Sequence, residues 1–369
     1  MVETNPIKCL KNCGQSVWLD NINRKMLASG ELGDMIALGL LGMTSNPSIF
    51  DKAISGSADY DELITGMKGK SSFEIYDELT VKDVREAADN FLGVYETSHG
   101  VDGYVSLEVN PHLSRDTQKT IEEAQRLAEK ASRPNIMFKI PATDEGFPAI
   151  KQLISGGLNI NATLIFSVEQ YLKTAHAFVE GLKSFAGSGG DVKRVASVAS
   201  VFVSRVDTMT DKLIEEKLKN KTNERLAALR GRAAVANCKL IYQEYLRVFS
   251  SQEWMKLFGN GARVQRVLWG STSTKNPSYS DIKYVAELIG EHTVNTVPDE
   301  TWRAFLDHGV AKSTLTQGVE EAREIIAELQ SFGIDINDVC AKLLNDGIKA
   351  FEKSFDSLLS TIEKKRSQM

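Results

Sequence analysis

Eight short β-rich runs succeed one another along the chain, and most are followed by a stretch with helical periodicity. That alternation predicts a parallel sheet whose strands are joined by crossover helices. The runs are Ser16 to Leu19, Gly42 to Ser45, Tyr104 to Val109, Ile136 to Ile140, Asn161 to Phe166, Val195 to Val203, Val264 to Gly270 and Thr293 to Val297. Helical stretches between them are Asn23 to Leu40, Arg115 to Ala131, Phe147 to Ile154, Val168 to Phe185, Asp207 to Leu257 with at least one break, and Ser280 to Ile289. Eight such strands close into an α/β fold of the (β/α)8 TIM-barrel type, which takes about 250 residues before insertions. The rest of the 369 residues falls in a leader before Ser16, in the stretch from Lys52 to Gly100, and in C-terminal helices from Gly318 to Lys365. No internal repeat or linker marks a second domain, so one domain over 1–369 is expected, with the barrel at about 16–310 and the C-terminal helices at about 318–365. Between Lys212 and Arg232 charge alternates in sign at helical spacing, which reads as a solvated helix face.

The formal net charge of -5 argues against a general nucleic-acid or membrane-surface binder, since either needs an extended cationic face. An anionic ligand must therefore meet a local basic pocket. Cys9, Cys13, Cys238 and Cys340 form no paired C-x-x-C set, and the histidines make no H-E-x-x-H, so no metal site is expected. The N-terminal residues contain no apolar signal-like core, and no apolar run is long enough to span a membrane, which makes the reducing cytoplasm the expected compartment.

In such a barrel the active site is built where the strands end, so the polar residues that close the apolar runs are the candidates. Lys139 lies in Asn135-Ile136-Met137-Phe138-Lys139-Ile140-Pro141, where an unpaired ammonium is costly to bury. A lysine in apolar surroundings has a lowered pKa and, as a free amine, can attack a carbonyl to form a Schiff base. The same segment also fits a lysine whose stem packs while its ammonium reaches water. Asp20 follows the first run and fits either catalysis or the cap of the next helix. Asn46-Pro47, after Thr44, reads equally as a helix start. Glu108, between Leu107 and Val109, calls for a buried partner. Asn161 and Thr163 are two apart on one strand and so share a face, for core hydrogen bonding or for catalysis. Ser200, Arg205, Ser273 and Lys275 read as a phosphate cradle at the ends of the sixth and seventh runs, though isolated Arg205 and Lys275 also fit surface charges. The segment Gly270 to Lys275 lacks the glycine order of a P-loop.

Taken together these segments resemble the transaldolase family. Gly42-Met43-Thr44-Ser45-Asn46-Pro47-Ser48-Ile49-Phe50 is similar to that family's amino-terminal signature, and Ser106-Leu107-Glu108-Val109 with Leu113-Ser114 to its glutamate motif. Ile136 to Pro141 resembles the Schiff-base lysine strand, and Gly157 to Ser167 the segment that follows it. The wording from Trp269 to Lys275 looks most like the longer bacterial and plant-type branch, and the resemblance covers nearly the whole chain.

The resemblance implies a cofactor-free transferase of the non-oxidative pentose phosphate pathway. It would move a dihydroxyacetone unit from sedoheptulose 7-phosphate to glyceraldehyde 3-phosphate through an imine on Lys139. Asp20 would handle the C4 hydroxyl proton, and Glu108 with Thr163 would shuttle protons during dehydration and hydrolysis. Thr44, Asn46 and Asn161 would hold substrate hydroxyls, Ser200 and Phe202 would line the site, and Arg205 would hold the phosphate. Lys275 stands where many members are expected to carry a second phosphate-binding arginine. Lysine offers a point charge there but no bidentate fork. Two other readings use the same scaffold: an aldolase that releases free dihydroxyacetone, and a phosphosugar-binding barrel without catalysis. The resemblance further suggests a monomer or homodimer.

Overall fold

A computed structural model describes residues 5–219 and 222–367; the start of the leader (1–4), residues 220–221 of the charged stretch and the last two residues lie outside the described residues. The eight strands are β1 (Gln15–Leu19), β2 (Gly42–Thr44), β3 (Tyr104–Glu108), β4 (Ile136–Pro141), β5 (Ile160–Ile165), β6 (Ser197–Phe202), β7 (Arg266–Gly270) and β8 (Thr293–Val297). They hydrogen-bond in sequence order, and β1 pairs in parallel with β8, so the sheet closes on itself as a (β/α)8 barrel. Every residue of these strands is buried, which follows from helices covering the outside and side chains filling the inside.

The helices depart from the periodic stretches where glycine or a capping side chain intervenes. Asn23 to Leu40 is two helices, Arg24–Ser29 and Glu31–Leu38, separated by Gly30 in the left-handed region at φ 86°. Asp207 to Leu257 divides into Ser204–Leu218, Glu224–Ala227, Ala233–Phe249 and Gln252–Gly259, the short second helix being capped by Asn223 and the last by Ser251. Ser280 to Ile289 forms only the single turn Lys283–Ala286. There the chain is held by tertiary bonds, including that from the Tyr284 hydroxyl to Asp207 Oδ2 at 2.8 Å. The leader contributes a helix, Pro6–Asn12, and Lys52 to Gly100 contains Asp61–Gly66, Ser72–Asn90 and Leu92–Thr97.

The C-terminal region is helix Val319–Ser331 followed by the 32-residue helix Ile336–Ser367. The latter runs along helix Pro47–Ser55, where the Ser48 and Ser354 hydroxyls meet at 2.7 Å, and buries Phe355 against the Tyr76 ring at 5.0 Å between centroids. Gly347 sits at the closest approach: a Cβ there would come within 3.1 Å of Leu164 and 3.8 Å of the Arg205 guanidinium. This helix therefore delivers Phe351 to the end of the barrel where the strands finish. Among the described residues no helix is long and apolar enough to cross a membrane.

Candidate active site

The strand ends converge on a cavity of about 310 Å³, lined among others by Asp20, Thr44, Asn46, Lys139, Ser200, Phe202, Arg205, Ser273 and Lys275. Glu108, Asn161 and Thr163 lie beneath it, buried in the barrel. Register explains the grouping. Glu108 on β3 is the Cα partner of Lys139 on β4, which is in turn the partner of Asn161 on β5, so three polar side chains on neighbouring strands point to the same, inner face of the sheet.

Lys139 is 4% exposed, and its Nζ donates to the Ser45 carbonyl at 3.0 Å. It also stands at ion-pair distance, 3.0 Å, from Glu108 Oε2, and 5.9 Å from the centroid of the Phe351 ring. The ammonium-stem reading, in which the lysine head reaches open water, does not fit this burial. Burial pushes the Glu108 carboxyl above the ordinary range, and the neighbouring Lys139 charge pulls against that rise. Neither Glu108 oxygen nor the Thr163 hydroxyl has a hydrogen-bond partner among the described residues. A buried polar atom in that state calls for a physical explanation.

Asp20 is not a helix cap, because Asn23 caps the helix that follows, its side chain accepting from Met26 N at 2.9 Å. Instead Asp20 Oδ1 accepts from the Thr44 hydroxyl at 2.8 Å, and Thr44, having one proton, accepts in turn from Thr296 at 2.7 Å. Burial raises the Asp20 carboxyl above its usual value, opposed by Lys139, the Thr44 bond and Arg205. Asn46 does cap its helix: its side chain accepts from Ile49 N at 3.0 Å with Pro47 at the first helical position, while the residue also lines the cavity. Asn161 is fixed by donating to Ser106 Oγ at 3.0 Å and accepting from Ser200 Oγ at 2.6 Å.

Just after Thr163, Leu164 adopts φ 57° and the β5–β6 register shifts between Ala162 and Ile165. A bulge of this kind re-aims the strand end, and Gln170, from the following helix, donates to the Leu164 carbonyl at 3.3 Å.

At the other side of the cavity Arg205 packs its guanidinium 5.1 Å from the Phe202 ring centroid. Burial lowers its pKa, and the charge that counters this is Asp20. Lys275, although its side chain is exposed, is likewise lowered by partial desolvation, and the charges bearing on it, Arg205 and Lys52, are both positive. Three cations thus crowd one end of the cavity beside the hydroxyl of Ser273. Such a cluster is unfavourable alone and suited to an anion with several negative oxygens.

Four residues at or beside the cavity carry no clear mark in the sequence. Lys52 lies on a helix where any lysine passes for a solvated charge; Thr296 acts through the Thr44 bond; Ser45 acts through its carbonyl, which no residue type signals; and Phe351 arrives from a distant helix whose periodicity also fits plain packing. Among the described residues no group of three or more His, Cys, Asp or Glu side chains is placed to hold a metal ion.

The family model described as transaldolase/fructose-6-phosphate aldolase matches residues 17–362. A protein named transaldolase from Trichodesmium erythraeum is 47% identical over 98% of each chain. Another of that name from Saccharopolyspora erythraea is 44% identical over the full length of both, and one from Neisseria gonorrhoeae is 43% identical over 96% of this chain and 98% of its own. With a match of this extent over barrel, lysine strand and C-terminal helices alike, the chain belongs to the transaldolase/fructose-6-phosphate aldolase family.

Proposed function

We propose that the protein is a transaldolase that uses Lys139 as its Schiff-base nucleophile. The observation that carries this reading is a buried lysine amine 3.0 Å from the buried Glu108 carboxyl and facing a cavity that also holds the half-buried Asp20 carboxyl and a cluster of cations. Glu108, its carboxyl raised by burial, takes a proton from the lysine, and the free amine adds to C2 of a ketose phosphate. The carbinolamine hydroxyl leaves as water on protonation by Glu108, with Thr163 passing the proton. Asp20 then removes the C4 hydroxyl proton, the C3–C4 bond breaks, and its electron pair enters the iminium to give an enamine. An aldose phosphate departs, an acceptor aldehyde takes its place, and the enamine attacks its carbonyl carbon while Asp20 returns a proton to the new hydroxyl. Hydrolysis of the second imine frees Lys139.

Arg205, Lys275, Ser273 and Lys52 hold the phosphate, which sets the distance from the charged end of the sugar to the reacting carbons. Thr44, Asn46 and Asn161 position hydroxyls, and Ser200 and Phe202 shape the wall. Phe351, from the C-terminal helix, covers the lysine, so barrel and C-terminal helices work as one unit. Four free thiols fit a cytoplasmic setting.

The test is product analysis with fructose 6-phosphate, with and without erythrose 4-phosphate. Turnover that requires the acceptor and gives sedoheptulose 7-phosphate supports transfer. Free dihydroxyacetone accumulating without acceptor makes the protein an aldolase, and no turnover removes the catalytic reading.

A further inference from the structure

The opposite end of the barrel holds a larger cavity, about 480 Å³ in volume, that the chemistry above does not use. Of the six large apolar side chains exposed among the described residues, four, Val101, Leu246, Met255 and Phe258, line this cavity. Such clustering is unlike the scattered exposure of ordinary surfaces. The cavity reaches inward to Met137 and Val198. These lie two residues before Lys139 on β4 and Ser200 on β6, so they face the barrel interior one layer below the catalytic floor, about 7 Å down the strands.

Polar groups inside this apolar enclosure are few. Tyr245 is 2% exposed and held by stacking on Tyr242 at 5.2 Å between centroids. The Tyr242 hydroxyl donates to the Glu291 carbonyl at 3.0 Å, whereas the Tyr245 hydroxyl has no hydrogen-bond partner among the described residues. Burial raises the Tyr245 pKa, so it is a neutral donor at ordinary pH. Arg266 is already paired with Asp102 at 2.9 Å, but Arg263 donates to the backbone carbonyls of His99 and Lys193 and has no carboxylate at ion-pair distance among the described residues. The one carboxylate on the lining, Glu291, is exposed and therefore screened.

We propose that this cavity is a second binding site, for a small apolar anion: an aromatic or branched aliphatic body bearing one acidic group that accepts from the Tyr245 hydroxyl and faces Arg263. The volume falls in the range of small-molecule sites, which are apolar with a few placed polar groups. Polyhydroxylated sugar phosphates do not match such walls, because their hydroxyls would be left without partners. A second copy or a flat protein surface would cover the exposed rim and leave the buried tyrosine unused.

The test is a fluorescence titration of the full-length protein with anilinonaphthalene sulfonate, an apolar aromatic anion, beside the variants Tyr245→Phe and Leu246→Glu. Neither residue belongs to the catalytic machinery, and transferase activity with circular dichroism reports whether each variant is folded. Saturable one-to-one binding is expected, weakened about three- to ten-fold by Tyr245→Phe and about ten-fold or more by Leu246→Glu. Non-saturable binding, or binding that both folded variants retain unchanged, overturns the proposal. Sedimentation equilibrium showing a dimer that excludes the dye and that Leu246→Glu dissociates would also overturn it, by assigning the face to a second copy.

Discussion

Asp20 and Glu108 are carboxyls whose burial works against their ionisation, and that tension makes their contributions separable. A carboxyl whose folded pKa is raised binds its proton more tightly in the folded state. Its stabilising effect is thus complete below the unfolded pKa and lost as pH climbs through the folded one. For Asp20 the loss begins above the ordinary carboxyl value of 3.8. Asp20→Asn, which cannot ionise, is therefore expected to unfold at a higher temperature than the wild type at neutral pH, with the advantage shrinking as pH falls toward the carboxylate range. Its kcat is expected to drop about a hundred- to ten-thousand-fold, the usual worth of a positioned proton acceptor. Thermal melts across pH, with steady-state kinetics, check both halves. At the cationic end, Arg205→Met is expected to raise KM for fructose 6-phosphate about ten- to hundred-fold, and Lys52→Met less, while leaving turnover of unphosphorylated fructose unchanged. Lys139 was legible because a charged residue interrupts an apolar strand, whereas Lys52 was not, because nothing local separates a lysine that lines a cavity from a solvated lysine on a helix.

At the scale of elements, strand order and barrel closure follow from the alternation of runs, since parallel neighbours need a crossover and eight of them close. The register that pairs Glu108 with Lys139 is another matter, because it depends on stagger around the whole barrel. At least one break between Asp207 and Leu257 was legible, but the one inside Asn23 to Leu40 was hidden. Gly30 is a tolerable helix residue by composition, and only its left-handed backbone shows the turn. Asn46 illustrates a residue with two claims on it, for its side chain caps helix Pro47–Ser55 and its position lines the cavity. Asn46→Ala is expected to lose about 1 kcal/mol of stability, and Asn46→Ser to lose little, since serine caps as well. Activity should fall in both variants. Full activity in the serine variant would leave Asn46 a cap alone.

Across the whole molecule the two ends of the barrel divide the work. The end where the strands finish carries the lysine, the carboxyls and the cations, while the other is tied by Ser16, Asp102 and Arg266, with the Ser16 hydroxyl donating to Asp102 at 2.9 Å and the guanidinium ion-paired to the same carboxylate. Removing one member of a buried pair leaves the other uncompensated, so Asp102→Ala should cost about 3 kcal/mol or more in urea unfolding. It should leave kcat near that of the wild type, because conservation of chemistry depends on the far end. The C-terminal helix reaches the cavity beside Lys139 with Phe351, although its sequence reads as ordinary amphipathic packing. Everything at the mouth is arranged around one amine, and the most direct measurement is mass spectrometry after borohydride reduction in the presence of fructose 6-phosphate, with Lys139→Ala alongside. A reduced dihydroxyacetone-sized adduct mapped to Lys139, absent from the variant, is the predicted result. A folded, phosphosugar-binding protein with no adduct, or with the adduct on another lysine, would contradict it.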